Sequence, residues 1–154
     1  MMNLKRKQQG IGLLELMLSL GLIAILLVMA IRFYQATRTS QQTAQTISDI
    51  QGIVAAGLVV LQNSQELKDF QADFNLDNLH KANLLPGSVK EPNPFGGKTT
   101  LGAVDSPVRG TIEMDKIPGM QCATIKSRLA GNVQEVECST TTAGEEATLT
   151  VKFN

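Results

Sequence analysis

The sequence predicts an α+β protein: one helix of about 50 residues, then a head in which an antiparallel sheet of about four strands carries a short inserted helix. Three observations predict it. No proline occurs before Pro86. Ile11 to Ile31 is an apolar run of 21 residues with a single charge, Glu15. Beyond Pro86, turn residues and short alternating segments replace helical periodicity.

The apolar run comes first. At about 1.5 Å per residue it reaches roughly 31 Å as a helix, close to the ~30 Å hydrocarbon thickness of a bilayer. Lys5, Arg6 and Lys7 precede it, and no acid occurs in residues 1–10. The positive-inside rule therefore places the N-terminus in the cytoplasm and the rest outside, although Arg32 and Arg38 make the bias small. A carboxylate within such a span costs roughly 2.5–3.5 kcal/mol on insertion scales, so Glu15 calls for a partner. The competing reading is a secretory signal peptide or plain single-span anchor, with Val28-Met29-Ala30 as the cut and Ile31 as the mature start.

The helix pattern continues past the span but turns amphipathic. Ile47, Ile50, Ile53, Val54, Leu58 and Leu61 form one stripe; Gln41, Gln42, Thr43, Gln45, Ser48, Asp49 and Gln51 form the expected polar side. Gly12, Gly21, Gly52 and Gly57 interrupt the helix, each at up to ~1 kcal/mol relative to Ala. The sequence thus divides into residues 1–10, a basic leader; 11–31, the membrane-length half; 32–62, the amphipathic half; and 63–154, a head.

In the head, Asn63 to Leu85 reads as a helix-leaning connector. Ser64-Gln65-Glu66-Leu67 is a capping sequence, and Phe70, Phe74, Leu76, Leu79, Leu84 and Leu85 are the anchors. Glu91-Pro92-Asn93-Pro94-Phe95-Gly96-Gly97-Lys98 is a dense turn cluster. Strands are expected at Thr99–Val104 and Gly110–Asp115, with Ile117-Pro118-Gly119 ending the second. A helix follows at Met120–Leu129, with Met120, Cys122, Ala123, Ile125 and Leu129 packed inward and Lys126 and Arg128 in water. Val133–Cys138 and Ala147–Phe153 complete the strands, and Ser139–Glu146 is an exposed threonine-rich loop.

Composition excludes several functions. The chain has 14 basic and 14 acidic side chains; loss of Lys5, Arg6 and Lys7 would leave 11 against 14. That balance offers nothing to a nucleic acid, and five Phe, one Tyr and no Trp are poor material for base or sugar stacking. One histidine, His80, and scattered acids supply no nucleophile–base set, so no enzyme and no cofactor is expected. The carboxylates Glu113 and Asp115, and Glu135 and Glu137, read as solvated strand faces; Asp105-Ser106 is too small an oxygen set for calcium, and no metal is expected. Cys122 and Cys138 read as one disulfide in an oxidising compartment, with two buried free thiols as the alternative. Closing that loop would stabilise by roughly 3 kcal/mol on chain-entropy arguments.

The block Lys5-Arg6-Lys7-Gln8-Gln9-Gly10-Ile11-Gly12-Leu13-Leu14-Glu15 resembles the N-terminus of type IV prepilins: a basic leader, a glycine at the cut, an apolar first mature residue and glutamate as the fifth. In the head, Asn93-Pro94-Phe95-Gly96-Gly97 resembles the Asn-Pro-aromatic-Gly-Gly turn of type IVb pilins, and Met120-Gln121-Cys122-Ala123-Thr124-Ile125 resembles their cysteine-bearing helix. The resemblance implies a pilin fold and a structural role. A prepilin peptidase would cut after Gly10 and methylate Ile11. The subunit would wait in the inner membrane, head outside. An assembly machinery of inner-membrane platform, ATPase and secretin would then build it into a helical homopolymer, with Glu15 setting register against a neighbour's N-terminal amine. It also implies a Cys122–Cys138 bond. Two rivals share some of these features: a minor pilin or type II secretion pseudopilin, and a single-span anchored extracytoplasmic binding protein.

Overall fold

The computed structural model describes residues 12–64, 67–89, 91–104 and 109–154. Helix α1 (Leu13–Asn63) is one unbroken element of 51 residues, as the absence of proline permits. The chain forms two compact units, and the division falls inside α1, at positions 39/40. In the first unit the large apolar side chains from Leu13 to Ile31, and Phe33 and Tyr34 beyond, are all exposed.

The second unit is the head. After α1 come α2 (Leu67–Asp73), α3 (Leu76–Lys81), β1 (Thr99–Val104), β2 (Arg109–Pro118), α4 (Gly119–Leu129), β3 (Glu135–Cys138) and β4 (Glu146–Phe153). The four strands form one antiparallel sheet in the order β1-β2-β4-β3. This is the expected α+β architecture. Alternation along the strands sends one face inward. Leu101, Ile112, Val151 and Val136 lie in one cross-strand row, and Met114 and Leu149 pair in the next. Ile50, Ile53, Ala56 and Val60 of α1 join the same core, as do Phe70, Phe74, Leu79 and Leu85.

A ring wedge fixes the sheet to the helix. Phe153 pairs across the ladder with Gly110, and its ring occupies the space a Cβ would need at both Gly110 and Gly57. Phe74 meets the same ring edge-on, 5.6 Å between centroids. Gly57 therefore weakens the helix locally and gains close aromatic packing in return.

Three expectations need correction. The polar side assigned to α1 is partly buried: Thr43 and Asp49 lie inside, Asp49 only 6 % exposed. The reason is a second wall beside the helix, marked by the contact of Gln42 with Pro94 and by Pro86 lying against Gly52. The Ser64 hydroxyl donates back to the Val60 carbonyl at 2.8 Å, and Gln65 and Glu66 of the expected cap lie outside the described residues. β2 does not stop at Asp115 but runs on through Ile117 and ends at Pro118. Lys116 adopts a left-handed φ of 56° and forms a bulge, which returns Ile117 to the core opposite Ala147. Met120 is 60 % exposed, because Cys122, Ile125 and Leu129 define the inward face of α4 and Met120 lies two residues, about 200° of helix, from Cys122.

Asp49 gives the head a pH signature. Burial raises its pKa above the ordinary value, partly opposed by the Gln45 amide that donates to it at 2.8 Å. The folded chain thus holds this proton at a pH where the unfolded chain has lost it. Its contribution to stability is fully present below the unfolded value of 3.8 and is lost as pH rises through the raised folded value. Asp49→Asn should raise the melting temperature at pH 7, and the difference should vanish below pH 3.8; an unchanged or lower melting temperature at pH 7 would contradict it.

Candidate functional site

Two places carry the residues singled out by the sequence. The first is the start of α1. Gly12 precedes the helix, and its carbonyl accepts from Glu15 N at 2.9 Å and Leu16 N at 3.1 Å. Glu15 therefore sits in the first helical turn, where the backbone N–H groups still lack helical partners and an acid is electrostatically favoured. Its side chain is exposed, has no ion pair among the described residues, and is surrounded by exposed Leu13, Leu14, Leu16, Met17 and Leu18. The helix is long and apolar enough to cross a membrane, and its most apolar window is wholly unburied. Gly10 and Ile11 lie outside the described residues.

The second place is the head turn. Asn93 is 5 % exposed, and its side chain makes three hydrogen bonds. Its Oδ1 accepts from Phe95 N at 2.9 Å and Gly97 N at 3.1 Å, while its Nδ2 donates to the Asp115 carbonyl at 2.8 Å. Gly96 takes a left-handed φ of 85°, and Gly97 lies so close to the Asp115 carbonyl that no Cβ fits. Lys98 N donates to the Asp115 carboxylate, so Asp115 is a clamp residue and not a solvated acid as its alternation suggested. On the other side, Gln42 Nε2 donates to the Pro94 carbonyl at 2.8 Å. The five-residue turn thus ties α1 to β2. Asn followed by Pro signals an Asx turn in the sequence; Gln42 and Asp115 gave no local signal, because both act across the fold.

Cys122 and Cys138 are bonded, with Cα atoms 6.1 Å apart, joining α4 to β3. Beside them Lys152 bridges Glu135 at 2.9 Å and Glu137 at 3.8 Å. The bond and charge of Lys152 lower the Glu135 pKa, and Glu135 raises that of Lys152. His80 donates through Nε2 to the Val89 carbonyl at 2.7 Å, a local structural tie. Among the described residues no group of three His, Cys, Asp or Glu could hold a metal ion; Asp105-Ser106 lies outside them. Among the described residues nothing assembles a nucleophile, a base and an oxyanion site.

A family profile described as the prokaryotic N-terminal methylation motif matches residues 5–31. No curated protein and no solved structure matches the chain. The matched segment is the motif of the type IV pilin and pseudopilin family, and it joins a pilin-like α+β fold. The chain is accordingly a prepilin-like structural protein and not an enzyme. The motif is one carried by pilus and pseudopilus subunits, and it implies processing by a prepilin peptidase and assembly by pilus or secretion machinery. The apolar helix is consistent with an inner-membrane precursor that later enters a filament.

Two stability outcomes follow for the full chain in detergent micelles. Asn93→Ala leaves two N–H groups and a carbonyl unpaired and should cost about 1–3 kcal/mol by denaturant titration. The double change Cys122→Ser with Cys138→Ser should cost roughly 3 kcal/mol, with reductant lowering the wild-type midpoint but not that of the double variant.

Proposed function

We propose that the chain is the principal subunit of a type IVb-like pilus, cut after Gly10, methylated on the Ile11 amine and polymerised into a surface filament. One observation carries the reading. The exposed apolar half of α1 holds a single acid, Glu15, in its first turn. Such a helix is stable only in lipid or among other apolar helices. In either surrounding the carboxylate needs a cation, and the new amine of a neighbouring subunit is the nearest suitable one. Their attraction is slight in water and large where water is excluded. A pair satisfied only in the polymer therefore favours assembly and fixes axial register.

The N-terminus lies in the cytoplasm before assembly, as the basic leader directs, and the head lies outside. The Asn93–Gly97 turn and the Cys122–Cys138 bond support the type IVb branch. Partners are then further copies of the chain, the peptidase and the assembly platform, ATPase and secretin. Adhesion, aggregation and conjugation are the roles such a filament serves. A minor pilin or secretion pseudopilin shares the same N-terminus and differs in abundance.

The test is Glu15→Ala expressed beside the wild type. Wild-type fibres sheared from cells should contain this chain as the main component, beginning at methylated Ile11. The variant should be cleaved normally and keep the wild-type head melting temperature, yet give at least about tenfold fewer fibres, the loss of roughly 1.4 kcal/mol per contact or more. Normal fibre yield would remove the role of Glu15. A mature start at Ile31 would replace the pilin reading with a signal peptide. Trace abundance in otherwise normal fibres would favour the minor-pilin reading.

A further inference from the structure

One short stretch of α1 collects the residues that a boundary between water and lipid selects. The chain has five Phe, one Tyr and no Trp. Phe70, Phe74 and Phe153 are buried, and Phe95 packs against the same core. The other two rings, Phe33 and Tyr34, are adjacent in sequence and 75 % and 68 % exposed. They come directly after the apolar run that closes at Ile31. Arg32 and Arg38, the basic residues of α1, flank them.

These residues form a band around the helix. At about 100° and 1.5 Å per residue, Arg32, Phe33 and Tyr34 share nearly one level on the axis and point to three sides. A partner helix would call for a stripe on one face, at i, i+3 and i+4. A boundary that cuts across the axis calls instead for every side at one level. The neighbouring hydroxyls already have partners within the helix: Thr37 donates to the Phe33 carbonyl at 2.9 Å and Thr39 to the Gln35 carbonyl at 3.0 Å.

Arg32 also closes a shallow apolar track. A concavity of about 410 Å³ is lined by Ala24, Ile25, Val28, Met29 and Arg32. From Ala24 to Arg32 it follows the helix for about 12 Å. An apolar track with a guanidinium at its end has the form of one lipid, hydrocarbon along the track and phosphate at the cation. Arginine holds phosphate through paired N–H donors. Its stem lies well on apolar surface while its head stays among polar groups. Arg38 stands four residues beyond Tyr34, and a helical side chain leans back toward the preceding turn, so its guanidinium approaches the same level.

We propose that Arg32, Phe33, Tyr34 and Arg38 are a collar for anionic phospholipid on the outer face of the inner membrane: the two arginines hold the phosphate, the rings lie at the ester level, and an acyl chain follows the apolar track. Aromatic rings with a polar tip favour that level of a bilayer. The inference rests on the membrane-precursor reading above and adds its lipid partner and the residues that meet it. It gives α1 a fixed depth. Seventeen residues, about 26 Å of helix, separate Arg32 from Glu15, and the hydrocarbon layer is ~30 Å thick. With the collar among the outer headgroups, Glu15 stands near the inner boundary, where a charge costs least. The collar thus keeps the acid away from the bilayer centre until a neighbouring subunit supplies its cation.

The chain carries its own probe: with one tyrosine and no tryptophan, its tyrosine emission comes from Tyr34 alone. The full chain is reconstituted into phosphatidylcholine vesicles holding a minor fraction of lipid brominated on the acyl chain. Bromine quenches at near-contact range, so the reading is local to Tyr34. Bromine near the ester end should quench more than bromine near the methyl end. Brominated phosphatidylglycerol should quench at least about twofold more than the same fraction of brominated phosphatidylcholine, and added salt should lessen the excess. Arg32→Gln with Arg38→Gln should bring the two lipids level, with the chain still in the vesicles and the head melting temperature unchanged. Equal quenching of the wild type by both lipids, an excess that survives the double change, or stronger quenching from the methyl end would each overturn the collar while the chain remains vesicle-bound. Recovery of the wild-type chain outside the vesicles would instead remove the membrane-precursor reading, and the collar with it.

Discussion

The head depends on one ring. Phe153 reaches from β4 into spaces left by Gly57 on α1 and Gly110 on β2, with Phe74 of the connector against its edge. Helix, sheet and connector therefore share a single contact. A Cβ at either glycine would meet the ring directly, and overpacking of a full core costs typically 1–3 kcal/mol. The arrangement explains why glycine, a poor helix former, stands where α1 should be most regular.

A second constraint acts at the other end of the sheet. The Asn93 side chain closes its own turn and reaches β2, and Gln42 reaches the turn from α1. The bulge at Lys116 belongs to the same region. A lysine in the left-handed region costs on the order of 1 kcal/mol, and the return is Ile117 in the core and Gly119 N bonded to the Glu145 carbonyl at 2.9 Å. Left-handed backbone and close approach thus recur around residues 91–98 and 115–119, where the chain changes from loop to strand and from strand to helix.

Much of this was legible in the sequence, and the reasons are physical. The helix from Leu13 to Asn63 and the strand at Thr99–Val104 follow from proline placement and local pattern, which are short-range properties. The apolar positions of the expected strands, Ile112, Met114, Leu149, Val151 and Phe153, are all buried. What failed was long-range. Thr43 and Asp49 look like solvent-facing residues until a loop about forty residues later is folded over them. Asp115 looks like a solvated acid until Asn93 and Lys98 arrive. Ile117-Pro118 looks like a break because a bulge that restores register has no signature of its own. At the N-terminus, motif and structure speak to different things: the residues matched at 5–31 name a processing signal, while the described residues show only the exposed helix and the position of Glu15 in its first turn.

The disulfide has a consequence beyond its own stabilisation. It fastens the shortest strand, β3, to α4, and so makes one flank of the head resist separation. The opposite flank relies on noncovalent bonds alone. Covalent restraint of the head is consequently lopsided: the cystine flank cannot part from α4 without reduction, whereas the β1 border is held by hydrogen bonds and packing alone. A protein anchored in this way can loosen one margin to meet its surroundings while the far margin preserves the fold.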